Sequence, residues 1–215
     1  MSGLDPVLML KTLPAVIIGL TVHEFSHAWM AFKLGDKTAN DMGRLSFNPL
    51  KHIDPLGFLF ILIAGFGWAK PVMFNPENLK HKHSGEILIS LAGPVSNLIL
   101  GILCFVIVRG LYGVDFFQTT NIGQGTVNIV FIAGIINFGL FIFNLIPLPP
   151  LDGSHVYLTF LKVKNPAVFN LFYKYGTMAL FIIIIIENQT KITLLPVQPA
   201  INFIVNLLLK LLDFN

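Results

Sequence analysis

Five long apolar stretches decide most of what this chain can fold into. They cover roughly residues 7–33, 87–109, 127–148, 168–187 and 198–213. Each spans about 30 Å of hydrocarbon, or comes close to it with tilt and partners. The last is short, and Pro196 and Pro199 mark its start. Lipid offers no hydrogen bonds to a backbone, so only helices and closed barrels cross it. Barrel strands alternate apolar and polar residues, whereas these runs are solidly apolar. Charge agrees: only 12% of the residues are charged and 54% are hydrophobic, about half the charged share of a soluble domain. The expected fold is an all-α polytopic membrane protein of five to six transmembrane or re-entrant helices. It forms one membrane-embedded domain over 1–215, with no internal repeat and no room for an appended soluble domain.

The formal charge of +3 is small and scattered, so nothing in it points to nucleic acid. The single cysteine, Cys104, lies in an apolar run. It can form neither an intrachain disulfide nor a cysteine-based zinc site and reads as buried filler. The N-terminus lacks a basic segment and a small-residue cleavage site, so the first apolar stretch is expected to stay in the mature protein.

A sixth apolar stretch, Pro55 to Ala69, is short for a span, contains Gly57, Gly65 and Gly67, and is ended by Pro71. It reads as a re-entrant or membrane-surface element between the first two full spans. Basic residues support that choice. If 55–69 does not cross, eleven lysines and arginines fall on one side and only Lys11, Arg109 and Lys191 on the other. If it does cross, the bias nearly vanishes. The positive-inside rule then predicts a cytoplasmic 34–86 connection and an N-terminus outside.

The first stretch carries His23-Glu24-Phe25-Ser26-His27. Residues four apart share one helix face, so His23 and His27 can offer two imidazole nitrogens to one ion. Glu24, beside His23, can reach a water on that ion and take its proton, the logic of zinc hydrolases. His-Glu-x-x-His also occurs by chance. In this setting, however, Thr21, His23, Glu24, Ser26 and His27 interrupt an apolar span, where a charged residue costs roughly 2.5–3.5 kcal/mol on insertion scales. His23 lies about 15 Å along the helix from Lys33, so water would reach it through a cavity. A structural zinc or a metal-free proton relay would use the same residues.

A catalytic zinc takes three protein ligands and keeps one position open. His52, His81 and His83 lie in the polar connection and read first as solvated loop residues. Asp152 follows Asn144-Leu145-Ile146-Pro147-Leu148-Pro149-Pro150-Leu151, where three prolines break helical hydrogen bonding. Irregular backbone at a membrane boundary is expected only where protein or a water-filled cavity surrounds it. A loop or capping aspartate is the plain alternative, and His155 is a rival ligand.

Here the sequence resembles the site-2 proteases, the intramembrane zinc metalloproteases, in a small form without a PDZ-like domain. Their Asn-x-x-Pro-x-Pro-x-x-Asp-Gly motif matches Asn144, Pro147, Pro149, Asp152 and Gly153, and Gly93-Pro94-Val95-Ser96-Asn97 resembles their Gly-x-x-x-Asn element. The resemblance covers roughly residues 15–160. It implies that His23, His27 and Asp152 hold one Zn2+ per chain, that Glu24 is the general base and that Asn144 assists near the scissile carbonyl. The catalytic core would occupy about 7–160, with accessory helices over about 168–213.

The implied activity is hydrolysis of peptide bonds within or near transmembrane segments of membrane proteins, as in regulated intramembrane proteolysis or clearance of remnant signal peptides. The implied partners are a transmembrane protein or peptide and the lipid bilayer, with no nucleic acid, in a bacterial cytoplasmic membrane. The active site would face the cytoplasmic side. The competing reading is a non-proteolytic zinc-binding membrane protein, a sensor or transporter.

Other residues keep two readings. Gly93, Asn97 and Gly101 form a small and polar stripe that close helix packing explains, while Asn97 is also placed to support the site. Gly65-Phe66-Gly67-Trp68-Ala69-Lys70-Pro71-Val72-Met73-Phe74-Asn75 is either an interface anchor or an extended edge that aligns an unwound substrate. His52 is expected to position its loop. The Ile182–Ile186 run and the closing segment complete the bundle, gate lateral access of substrate or support a homodimer.

Overall fold

Helix α1 (Pro6–Lys33) carries both motif histidines and ends where Gly35 takes a φ of +108°. That backbone conformation suits glycine, and it lets the Asp36 N–H return to the Ala31 carbonyl. This computed structural model describes residues 6–64, 67–190 and 192–213. After α1 come the short α2 (Thr38–Asp41), α3 (Pro55–Ala64) and α4 (Lys82–Leu111). The chain continues through α5 (Asp115–Thr119), α6 (Asn121–Asn144), α7 (Asp152–Lys164), α8 (Pro166–Thr190) and α9 (Val197–Leu211). Among the described residues there is no β-strand, and one isolated antiparallel bridge joins Ile53 to Ala69.

Helix α4 is the centre of the bundle and packs against α1, α6 and α7. Phe105 and Phe138 fill the α4–α6 contact with Ile201 of α9, and Cys104 is buried beside them. A second cluster, Ala31, Leu79 and Ile89, ties the end of α1 to α4. A third joins Ile146 and Leu151, on either side of the prolines, to Leu180 of α8 and to Leu195.

Among the described residues, three helices are long and apolar enough to cross a membrane: Lys82–Leu111, Asn121–Asn144 and, within α8, Pro166–Glu187. Helix α9 is apolar and shorter, with 15 residues. The apolar stretches expected at 87–109, 127–148, 168–187 and 198–213 therefore all become helices, with shifted limits. Helix α6 stops at Asn144, ahead of the prolines, because the residue before a proline is pushed out of helical geometry. Residues 145–151 form turns, and Asp152 opens a new helix of 13 residues.

The sixth stretch goes out and comes back. Helix α3 leaves from Ile53 and the chain returns to pair at Ala69. The two arms touch backbone to backbone: a Cβ on Gly57 would stand 2.1 Å from the Trp68 carbonyl oxygen, and one on Gly67 would stand 2.0 Å from that of Gly57. Only glycine permits this approach. Gly65 and Phe66, which belong to the same expected element, lie outside the described residues, as do Lys191 and the first five residues.

Candidate metal centre

His23 and His27, one turn apart on α1, point their rings into the space between α1, α4 and α7 and are buried. Their Nε2 atoms lie 3.0 Å apart. Asp152, at the start of α7, brings Oδ2 to 3.0 Å from His23 Nε2 and 3.4 Å from His27 Nε2. The three atoms thus form a small triangle that joins two distant parts of the sequence, one turn of α1 and the start of α7. The proline turn ends α6 and feeds Asp152 back to the level of the histidines.

Hydrogen bonding on the far side of each ring decides what the triangle can accept. His23 Nδ1 donates to Asn97 Oδ1 at 2.7 Å, and His27 Nδ1 donates to the Ile89 carbonyl at 2.7 Å. With both Nδ1 atoms protonated, both Nε2 atoms of neutral imidazoles present lone pairs. Two lone pairs and a carboxylate oxygen face one another, and Asp152 Oδ2 is buried without a hydrogen-bond partner. Such an arrangement calls for a cation among them. Ligand atoms around a tetrahedral zinc stand about 3.3 Å apart, given metal–nitrogen bonds of about 2.0–2.1 Å. The separations here match that spacing, so the residues fit the metal.

Gly93 of α4 faces the same point. A Cβ there would fall 2.4 Å from His27 Nε2 and 2.7 Å from His23 Nε2. The small stripe on α4 is thus more than a packing device at this position: glycine leaves the room that the two imidazoles occupy.

Glu24 sits beside the triangle, buried, and its Oε2 accepts the Val72 N–H at 3.0 Å. Two cavities meet at Glu24, Asp152, Pro71 and Pro150. One, about 320 Å³, is mainly apolar and lined by Trp68, Phe143, Asn144 and Phe181. The other, about 130 Å³, is lined by His27, Ser90 and His155 as well. Asn144, the last residue of α6, lines the apolar cavity and donates its amide to the Leu140 carbonyl at 3.0 Å. A larger cavity of about 700 Å³ lies beside Arg109 and Tyr112 and contains none of these groups.

The extended residues 69–72 are held from three sides. The Lys70 N–H donates to the His52 carbonyl at 2.7 Å, the Arg44 guanidinium donates to the Lys70 carbonyl, and Val72 is fixed on Glu24. Arg44 is buried, which pushes its guanidinium below its ordinary value, an effect that the Glu24 charge opposes. His52 is buried too and donates Nε2–H to the Ser46 carbonyl at 2.7 Å. Burial holds its ring below the usual histidine range, with Arg44 adding to the effect, against the Ser46 hydrogen bond and Glu24. Asp36 anchors the next stretch. Burial would raise its carboxyl, but hydrogen bonds from Thr38, Asn78 and the Asn75 N–H hold it below its ordinary value.

Comparison with known proteins adds the family. The profile of peptidase family M50 matches residues 11–123 and 113–186, most of the chain. The chain belongs to peptidase family M50. With its long apolar helices, this M50 member is an integral membrane protein. It is 43% identical over 143 residues to a Bacillus subtilis protein named as a zinc metalloprotease, YwhC, an overlap of 66% of this chain and 64% of that one. Rip2 of Mycolicibacterium smegmatis, also named as a zinc metalloprotease, is 30% identical over 147 residues, covering 64% of this chain and 52% of Rip2. Rip2 of Mycobacterium tuberculosis is 28% identical over the same length. The chain thus spans less than two thirds of the length of these relatives. No solved structure matches it.

The structure therefore brings His23, His27 and Asp152 together, with Glu24 next to them and Asn144 on the shared apolar cavity. His155 lines the second cavity and stands outside the triangle. His81 and His83 are exposed. Arg44 and Asn137 escape a reading of the sequence. Arg44 is one of several basic residues in its loop, and Asn137 is a lone amide in an apolar run, with no spacing signal to mark either.

Proposed function

We propose that this chain is an intramembrane zinc metalloendopeptidase that hydrolyses peptide bonds within or near transmembrane segments of other membrane proteins. The observation that carries this is the triangle of two imidazole lone pairs and one unpartnered carboxylate oxygen, with Glu24 against it. The names of its relatives, zinc metalloproteases, agree. His23, His27 and Asp152 would hold one zinc ion per chain, a three-ligand set that leaves a position open. When bound, the ion supplies a Lewis acid and makes a water molecule acidic, with a pKa of about 7.

The protein's own groups do the rest. Glu24 takes the proton of the attacking water and passes it to the amine nitrogen as the carbon–nitrogen bond breaks. The Val72 N–H holds the Glu24 carboxylate in orientation. Asn144 turns its amide N–H toward the oxygen of the scissile carbonyl, where negative charge develops. The apolar cavity receives an unwound stretch of substrate alongside residues 67–72, and water arrives past Ser90 and His155. A zinc sensor or transporter would account for three ligands but not for a carboxylate placed between two such cavities.

In the membrane, α1, α4, α6, α8 and α9 serve as five spans of a single peptidase domain, and α3 re-enters. The bridge between Ile53 and Ala69 supports that assignment. The basic residues favour an N-terminus outside and an active site in the cytoplasmic half of a bacterial cytoplasmic membrane. Helices α8 and α9, with exposed apolar faces, gate lateral access of substrate or support a homodimer.

The deciding experiment compares purified wild type and Glu24→Gln, reconstituted with a helical model substrate. The variant is expected to keep its zinc and lose cleavage. Wild-type turnover in Glu24→Gln would remove the general base and, with it, this mechanism.

A further inference from the structure

Behind His23 runs a line of buried amides that reaches a third helix. Asn97 of α4 and Asn137 of α6 are both sealed from solvent. Asn97 uses its Oδ1 on His23 and its Nδ2 on two acceptors, the Gly19 carbonyl at 3.0 Å and Asn137 Oδ1 at 2.9 Å. Asn137 in turn donates Nδ2 to the Ala133 carbonyl at 2.9 Å. Gly19 admits this contact, since a Cβ there would press on Asn137 Oδ1 at 3.0 Å.

The direction of every hydrogen bond in this line is forced. A backbone carbonyl can only accept, so Ala133 compels Asn137 to turn Nδ2 toward it and Oδ1 toward α4. That oxygen and the Gly19 carbonyl take both hydrogens of Asn97 Nδ2. Asn97 is left with only its oxygen to offer His23, so the ring must present Nδ1–H. Its Nε2 lone pair then faces Asp152. A flip at Asn137 would set N–H against N–H at Asn97, inside a site with no water-exposed alternative. All members are neutral, so the line fixes orientation without adding charge to the metal triangle.

We propose that Asn137 is a positioning residue for the metal centre: together with the Gly19 carbonyl it orients Asn97, and through Asn97 it holds His23 as the Nδ1–H tautomer with Nε2 free to bind metal. This rests on the ligand assignment above and extends it to α6. A direct hydrogen-bond partner of a ligating histidine, as Asn97 is here, contributes about 10–100-fold in affinity, and Asn137 acts through that partner. Asn137 touches neither substrate nor metal, so its effect must appear in the state of the His23 ring.

The test uses the full chain in detergent, with Asn137→Leu, Asn137→Asp and Asn137→Ser. Aspartate keeps the acceptor for Asn97. Leucine removes it, and serine is too short to reach. The first readout is the tautomer of His23 in metal-free protein, by nitrogen-15 NMR of labelled histidines assigned with His23→Gln. Wild type and Asn137→Asp should show the Nδ1–H form, while Asn137→Leu and Asn137→Ser should show a mixture. The second is zinc affinity by chelator competition, weakened about 10–100-fold in the leucine and serine variants and near wild type in the aspartate variant. An unchanged tautomer and affinity in whichever of the two disruptive variants folds would overturn the proposal. So would an aspartate variant as impaired as they are. A wild type that shows the Nδ1–H tautomer but binds no zinc defeats the ligand assignment, and Asn137 loses its role as a metal-positioning residue with it.

Discussion

His23 Nε2 and Asp152 Oδ2 lie 3.0 Å apart, although one belongs to the first helix and the other to the seventh. The contact depends on a chain that leaves α6 at Asn144, turns through three prolines and starts α7 at the level of the histidines. With Nδ1 of each ring committed elsewhere, the three facing atoms have no proton to share while the rings are neutral, and a metal cation resolves their conflict.

Removing Asp152 should therefore cost metal before it costs fold. Asp152→Ala is expected to lower zinc content from about one per chain to near zero, with helix content by circular dichroism unchanged. Full zinc occupancy in that variant, measured by elemental analysis after dialysis, would exclude Asp152 as a ligand and reopen the claim of His155.

Gly93 offers a cleaner test, because alanine is the better helix former. In the interior of α4, Gly93→Ala should gain about 0.5–1 kcal/mol of helix stability. Its Cβ would nevertheless fall 2.4 Å from His27 Nε2, so the rings must shift. The expected result is a protein that keeps its helix content, loses the helix gain to overpacking at a cost of about 1–3 kcal/mol, and binds zinc at least tenfold more weakly. Wild-type affinity would mean that the imidazoles stand elsewhere.

Arg44 tests the extended segment separately from the metal. Its guanidinium is buried and donates to the Lys70 carbonyl. Arg44→Ala leaves that carbonyl without its donor, at a cost of about 1–3 kcal/mol, and loosens residues 69–72. Zinc content should stay at the wild-type level while cleavage of a helical substrate falls and Val72 loses protection in hydrogen exchange. Equal loss of zinc and cleavage would instead tie Arg44 to the metal site.

Much of this was legible in the sequence because it is periodic or local. Two histidines four apart declare a shared helix face, and a run of apolar residues declares a span. Asn144 to Gly153 points to Asp152 as a candidate third ligand only through its resemblance to a family; the residues alone leave Asp152 open as a capping group. What stayed hidden is contact between residues that share no pattern. Nothing in the lone amide of Asn137 says that it meets Asn97, and nothing in Arg44 distinguishes it from the lysines around it. The role of Gly93 was half visible: spacing marked a stripe, but only the placement of the two rings explains why glycine stands there. Helix α7 has no long apolar run to mark it, and proline disrupts the turn it occupies but says little about the helix that follows.

His52 should make the stability of the loop depend on pH. The neutral ring donates Nε2–H to the Ser46 carbonyl while its Nδ1 is buried without a partner. A second proton would place a charge there, out of water and facing Arg44, and burial is the main reason that the folded pKa lies below 6.5. The unfolded chain takes up that proton near 6.5, so it binds more protons than the folded one below that pH. Stability from His52 is thus complete above about 6.5 and is lost as pH falls toward the folded pKa, beneath which the loss levels off. Glu24 opposes the effect without reversing it. His52→Gln keeps a donor for Ser46 and cannot titrate. Melting curves in detergent from pH 8 to pH 5 should therefore show wild type losing stability relative to His52→Gln in the acid half of the range. A difference that stays flat across the range would mean that His52 accepts its proton as readily folded as unfolded.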